Sequence, residues 1–256
     1  LIYFARPNSI IDGKSVYEAR WRLGEELAKG ETLNTNPKEW VVVAVPDTAK
    51  PSADAYALAL DLPAKEGLLR NRYVGRTFIE GKGREERVRE KYNLNFSVLK
   101  GKKVILIEDS VVRGNTTKPL IDYIKNSGKA LEVHVRVSCP PIRAPCFYGI
   151  DMSTLSEMIA VRHMTKKQIE ESGFENLDEK TIEGIRKEIK ADTLRFQTIE
   201  GLIHGINSET NPEKTSLCLA CVSGKYPTPY GEVLYNISKT NHEKGQTKRT
   251  YEMEVK

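Results

Sequence analysis

Long apolar runs are missing from these 256 residues. None approaches the roughly 18 residues of a membrane span, so no membrane association is expected. Cysteine is scarce: four in this length, two of them spaced C-x-x-C at Cys218 and Cys221, make no disulfide framework of a secreted protein. They read better as an intracellular metal or redox group, and the expected location is the cytoplasm. A strong charge of one sign is also missing. Forty Lys and Arg against 35 Asp and Glu leave +5, which suits a small anionic ligand. It falls short of the basic stripe with aromatics that nucleic acid requires, and no nucleic-acid partner is expected. Histidine is rare too, and His134, His163, His204 and His242 show no triad spacing, so each reads as structural or superficial. An initiator Met and a signal-peptide pattern are both absent. Leu1–Phe4 reads as a strand entered midway, so the chain is expected to be a piece of a longer protein.

What the sequence does contain is organised around Val104–Thr117. Val104 to Ile107 form an apolar run short enough for a fully buried strand, and the acids Glu108 and Asp109 stand at its carboxyl end. A tight polar loop, Arg113-Gly114-Asn115-Thr116-Thr117, leads into a helical pattern through Asn126. Strand, acid pair, small-residue loop and helix start describe a ligand site in an open α/β sheet. Loop amides suit a phosphate, and the acids suit hydroxyls or a metal. A dinucleotide site would need G-x-G-x-x-G here, and this loop has one glycine.

The same device occurs earlier. Val41–Val45 is a second buried strand, Pro46-Asp47-Thr48-Ala49-Lys50 its loop, and Pro51 to Leu60 an alanine-rich helix with Pro51 at its first position. Ser15 with Glu18 three residues on predicts a helix start, ended by Gly30. Asn71–Lys91 holds seven Lys or Arg against four Glu and reads as a mobile basic loop entering a helix. Leu131–Val137 and Thr193–Ile199 predict strands; Ser153–Ala160, Thr165–Glu171 and Thr181–Lys190 predict helices. From Asn236 the chain is polar, so residues 1–235 are expected to form the domain and 236–256 a loosely held tail. No internal repeat is present.

Val104–Thr117 closely resembles the signature of type I phosphoribosyltransferases. Tyr3-Phe4-Ala5-Arg6-Pro7-Asn8-Ser9, Asn71 to Ile79, Cys146-Phe147-Tyr148-Gly149-Ile150-Asp151, Glu200-Gly201-Leu202 and Cys218-Leu219-Ala220-Cys221 narrow the resemblance to the amidophosphoribosyltransferase family. That implies an α/β fold: a mostly parallel sheet flanked by helices, with a C-terminal segment packing back on it. It implies transfer of ammonia to 5-phosphoribosyl 1-pyrophosphate, giving 5-phosphoribosylamine in purine synthesis. The alternatives are a regulator that senses the same ligand and a nucleobase phosphoribosyltransferase.

The resemblance also assigns roles. Glu108 and Asp109 meet the ribose hydroxyls; Ser110, Arg113, Gly114, Asn115, Thr116 and Thr117 take the 5′-phosphate; Asp47, Thr48 and Ala49 take the pyrophosphate. Thr48, Glu108 and Asp109 lie near Mg²⁺. Tyr73 and Arg76 belong to a closing catalytic loop, and Ile79 to an ammonia channel. Cys146, Cys218 and Cys221 fall on three of the four ligand positions of a [4Fe-4S] cluster. An N-terminal glutaminase domain or subunit would supply the ammonia, purine nucleotides would inhibit, and the protein would be a homo-oligomer.

Overall fold

A computed structural model describes residues 2–71, 84–152, 154–171, 173–206 and 216–246. In chain order its elements are β1 (Ile10–Ile11), β2 (Lys14–Ser15), α1 (Val16–Lys29), β3 (Trp40–Ala44), α2 (Lys50–Ala59), β4 (Leu68–Arg70), α3 (Arg84–Lys91), β5 (Tyr92–Leu94), α4 (Phe96–Leu99), β6 (Lys103–Glu108), α5 (Thr117–Asn126) and β7 (Glu132–Val137). After a 3₁₀ turn at Leu155–Glu157 come α6 (Ile159–His163), α7 (Lys166–Glu170), α8 (Glu179–Ile189), β8 (Thr193–Phe196), α9 (Ile199–Gly205), α10 (Ala220–Ser223) and α11 (Pro229–Glu243).

The central sheet has the order β3-β6-β7-β8 with every pair parallel. The unbroken apolar runs of β3 and β6 follow from burial on both faces. Val41, Val43, Val104 and Leu106 point into one core with α5 and α8, whereas Val42, Ile105 and Ile107 point into another with α1 and α2. Helices thus cover both sides, as in type I phosphoribosyltransferases. The helices α1 and α2 cross closely at Gly24, where a Cβ would stand 2.2 Å from the Ser52 carbonyl oxygen. A third core joins the inner side of α1, through Ala19 and Leu23, to the segment after β7 and to α9 and α10. This is the expected C-terminal segment packing back on the domain.

Four expectations change. Ile2 to Phe4 are not a strand; Tyr3 packs instead against the C-terminal core. Ser153–Ala160 is not one helix, because extended backbone at Met158 separates the 3₁₀ turn from α6. The strand expected over Thr193–Ile199 stops at Phe196, and Thr198 caps α9 by accepting from the Gly201 amide. The tail expected from Asn236 begins inside α11, whose Leu234, Tyr235, Ser238 and Asn241 are buried at helical spacing. Small polar residues on the inner stripe hid that helix from an apolar-periodicity reading. The connection around Gly173, which the sequence leaves unexplained, is a clasp. The buried Arg143 guanidinium donates to the carbonyls of Gly173 and Ser223, and Asn176 accepts from the first amide of α9.

Candidate active site

The carboxyl ends of adjacent parallel strands β3 and β6 open into a cleft of about 700 Å³. Asp47 and Thr48, just after β3, form one wall, and residues 108–117, just after β6, form the floor and the opposite wall. Tyr3, Phe4, Asp151 and Met152 close one side; Arg70, Lys91 and Tyr92, from the two-stranded β4–β5 sheet and its neighbour α3, close the other. The peptide between Pro46 and Asp47 is cis.

The buried Glu108 and the part-exposed Asp109 meet at the cleft floor. The Asp109 amide donates to Glu108 Oε1 at 3.2 Å, and Ser110 Oγ donates to Asp109 Oδ1 at 3.0 Å. Burial, and then the neighbouring charge of Asp109, push the Glu108 carboxyl well above the usual carboxylate range. The two acids form an oxygen-only donor pair that fits sugar hydroxyls or a hard cation such as Mg²⁺. Among the described residues no three His, Cys, Asp or Glu side chains are grouped to hold a metal ion. A Mg²⁺ here would therefore take most of its ligands from phosphate and water, with Asp109 and Thr48 as available protein oxygens.

Beyond the acids the chain curls through Gly114 at φ +72° and enters α5 at Thr117. Among the described residues, no hydrogen bond is donated by the backbone amides of Gly114, Asn115 or Thr116. A left-handed residue followed by a helix start is an anion-binding concavity. Arg113 reaches Glu157 at 3.3 Å. Ala49, assigned to the pyrophosphate loop, has no exposed surface and does not line the cleft; its side chain packs in the α1–α2 core. Tyr73, Arg76 and Ile79 lie outside the described residues.

Several cleft residues carried no assigned role. Tyr3, Phe4 and Asp151 stood in recognised motifs without one. Arg70 precedes the basic segment and Lys91 ends it, and only the pairing of β4 with β5 brings them together at the cleft. Arg20 was masked by its place in a helix. It is 1% exposed, donates to the Ala5 carbonyl at 2.8 Å behind the Tyr3–Phe4 wall, and feels the charge of Asp109.

The cysteines form a separate neighbourhood. The Cys221 carbonyl accepts the amides of Arg143 and Ala144, which sets the C-x-x-C beside Cys146. The Tyr3 hydroxyl donates to Cys221 Sγ at 3.5 Å, and burial pushes the Cys221 thiol up to about 11. Cys139, a conceivable fourth ligand, is fully buried just beyond β7. Cys146, Cys218 and Cys221 share one neighbourhood and supply three thiols, one fewer than the four that a [4Fe-4S] cluster takes.

The family described as phosphoribosyl transferase domain matches residues 13–146, just over half of the chain. The chain is 43% identical over 229 residues to the amidophosphoribosyltransferase of Bacillus subtilis, covering 89% of this chain and 44% of that protein. To its counterpart in Pyrococcus horikoshii it is 44% identical over 226 residues, covering 88% and 44%. The solved glutamine phosphoribosylpyrophosphate amidotransferase of B. subtilis, complexed with ADP and GMP, superposes with a TM-score of 0.73 at 42% identity, over 89% of this chain and 46% of that one. The chain spans less than half the length of these relatives.

Proposed function

This chain belongs to the phosphoribosyltransferase family, and on that premise we propose that it is the transferase part of an amidophosphoribosyltransferase. It would displace pyrophosphate from 5-phosphoribosyl 1-pyrophosphate with ammonia to give 5-phosphoribosylamine. The observation that carries this reading is one cleft holding the acid pair, the amide-lined loop after it and the Asp47–Thr48 loop, each at the carboxyl end of a parallel strand.

The residues divide the substrate among them. The amides of residues 114–116 and the start of α5 hold the 5′-phosphate. Asp109 and Glu108 accept the ribose hydroxyls, and Asp109 favours positive charge growing on the ring. Thr48 and the amides beside it, with Arg70, hold the pyrophosphate. Mg²⁺ would neutralise the departing pyrophosphate as a Lewis acid. A C–N bond forms at the anomeric carbon as the C–O bond breaks; the oxygen keeps the electron pair, and the new amine sheds one proton to solvent. From the resemblance, Tyr73 and Arg76 would close over the leaving group and Ile79 would border the ammonia path.

The intact protein would draw ammonia from glutamine through a glutaminase domain or subunit, respond to purine nucleotides, act in the cytoplasm and assemble with its own copies. No described helix is long and apolar enough to cross a membrane. A [4Fe-4S] group at Cys146, Cys218 and Cys221 would require a fourth ligand. Iron and sulfide analysis of anaerobically purified protein decides it, and no step above depends on it.

The test of the activity is pyrophosphate release from phosphoribosyl pyrophosphate, Mg²⁺ and ammonia. Release that requires ammonia supports the proposal. Turnover with a nucleobase and none with ammonia makes the chain a nucleobase transferase, and tight binding without turnover of either makes it a sensor.

A further inference from the structure

The loop that follows the acid pair is gripped from its outer side by α6, an element with no role in the reading above. The Ile159 amide donates to the Val112 carbonyl at 2.8 Å. One turn later, Arg162 NH2 donates to the Arg113 carbonyl at 3.0 Å. Arg162 is itself held in place: its NH1 donates to the Glu157 carbonyl at 2.7 Å, and its NH2 reaches Glu188 Oε1 at 2.5 Å. Glu188 in turn pairs with His163 at 2.7 Å. Ile159 also packs against the loop so closely that a Cβ on Gly114 would stand 2.6 Å from its Cδ1.

Peptide geometry converts this grip into an orientation. In a planar trans peptide the carbonyl of one residue and the N–H of the next point in opposite directions. Holding the Val112 and Arg113 carbonyls toward α6 turns the N–H groups of Arg113 and Gly114 away from it, toward the cleft these residues line. Two consecutive carbonyls facing the same way cannot occur in an extended chain. Here the chain bends at Arg113, whose dihedrals set the two peptides, and the left-handed Gly114 carries the turn on toward α5, so that consecutive amides form a nest.

We propose that Arg162 is a positioning residue for this reaction: by pinning the Arg113 carbonyl it presets the Gly114 amide to receive the 5′-phosphate. Arg162 does not line the cleft and need not touch substrate. The proposal rests on the phosphoribosyltransferase reading of the cleft and adds a residue that the sequence motifs do not include.

The test is calorimetric binding of two half-substrates to the full 256-residue chain. Ribose 5-phosphate probes the gripped loop, and Mg²⁺–pyrophosphate probes the Asp47–Thr48 side. Arg162→Ala is expected to weaken ribose 5-phosphate about 5- to 20-fold, the scale of one charge-assisted hydrogen bond, and to leave Mg²⁺–pyrophosphate within about twofold. Arg162→Lys, which keeps a cation able to reach the same carbonyl, should restore at least half of the loss on a logarithmic scale. A purely structural role would weaken both ligands together and lower Tm, and that result overturns the proposal. So does unchanged ribose 5-phosphate binding in Arg162→Ala. A wild-type chain that binds neither probe overturns the functional reading, and this inference with it.

Discussion

The buried ion pair between Glu31 and Arg136 fixes the end of α1 to the sheet, and its strength can be worked out from its contacts. Arg136 Nε donates to Glu31 Oε2 at 2.6 Å and NH2 to Oε1 at 3.0 Å, with both side chains 3% exposed. The Tyr56 hydroxyl and the amides of Thr32 and Leu33 also donate to this carboxylate. Burial alone would raise its pKa, but the donors, Arg136 foremost, outweigh burial and hold it at about 2 instead of 4.5. A carboxyl depressed in the folded state contributes stability that is complete above the unfolded value and is lost as pH falls toward the folded one. At roughly 1.4 kcal/mol per pH unit the full contribution is about 3 kcal/mol, of which about 2 kcal/mol disappears between pH 5 and pH 3. Glu31→Gln leaves a buried guanidinium uncompensated and should cost about 3–5 kcal/mol at pH 7 in urea unfolding. The gap between wild type and variant should narrow by about 2 kcal/mol from pH 5 to pH 3. The double variant Glu31→Leu, Arg136→Met should recover much of the loss, because no charge is left stranded. A gap below about 1 kcal/mol at pH 7, or one that does not change on acidification, refutes the reasoning.

The remaining predictions concern the site and the C-terminal segment. Asp109→Asn removes the charge beside the ring and should lower kcat/KM for phosphoribosyl pyrophosphate about 100-fold or more, near 3 kcal/mol of barrier, in the pyrophosphate-release assay. Gly114→Ala puts a Cβ both at φ +72° and 2.6 Å from Ile159 Cδ1; calorimetry should show ribose 5-phosphate binding weakened about tenfold or more, the factor that about 1.4 kcal/mol of backbone strain produces. With iodoacetamide at pH 8, mass spectrometry should find the exposed Cys218 labelled first. Cys221, held at about 11 by burial, would offer only about one thiolate in a thousand, and the enclosed Cys139 should resist longest. Truncation after Tyr235 removes the buried Ser238 and Asn241 with half of α11 and should lower Tm by about 5 °C; an unchanged Tm would return residues 236–243 to the status of a tail.

The parts of the fold that could be read from sequence are those where pattern and environment coincide. The runs at 41–45 and 104–107 are apolar at every position because both faces of β3 and β6 are covered, so the strands were evident and the acids at their ends fell at once into a site. Helix α1 announced itself through Ser15, which caps it by accepting the Glu18 amide at 3.3 Å. The misreadings share a cause: the burial was done by residues that do not look buried. Ser238 and Asn241 face inward on α11, Arg143 spans the C-terminal clasp, and Arg20 lies wholly inside behind the cleft. The two arginines reach carbonyls outside their own elements, Arg20 that of Ala5 and Arg143 that of Ser223, which local pattern cannot express. The assignment of Ala49 to the site followed from its place in a motif, whereas its burial follows from the tight start of α2.

On the proposed function, the cations at the cleft explain how a site built around carboxylates would accept a polyanion. Arg70 sits 3.1 Å from Asp47 and Arg113 sits 3.3 Å from Glu157, and all four side chains are between about two-fifths and one-half exposed. Ion pairs of that exposure are worth about 1 kcal/mol or less. Each arginine is thus held by a local acid strongly enough to define its position and weakly enough to exchange that acid for a phosphate. The exchange with Asp47 also frees a carboxylate beside the Thr48 loop, where a cation accompanying pyrophosphate would gain a ligand. The buried acid at the floor, Glu108, cannot rearrange this way, since it is enclosed by β6 and its own neighbour's amide. On the proposed function, a rigid acid under the ribose and exchangeable pairs under the phosphates would divide the cleft by the chemistry of that substrate: hydroxyls that must be aligned, and charges that must be received and released.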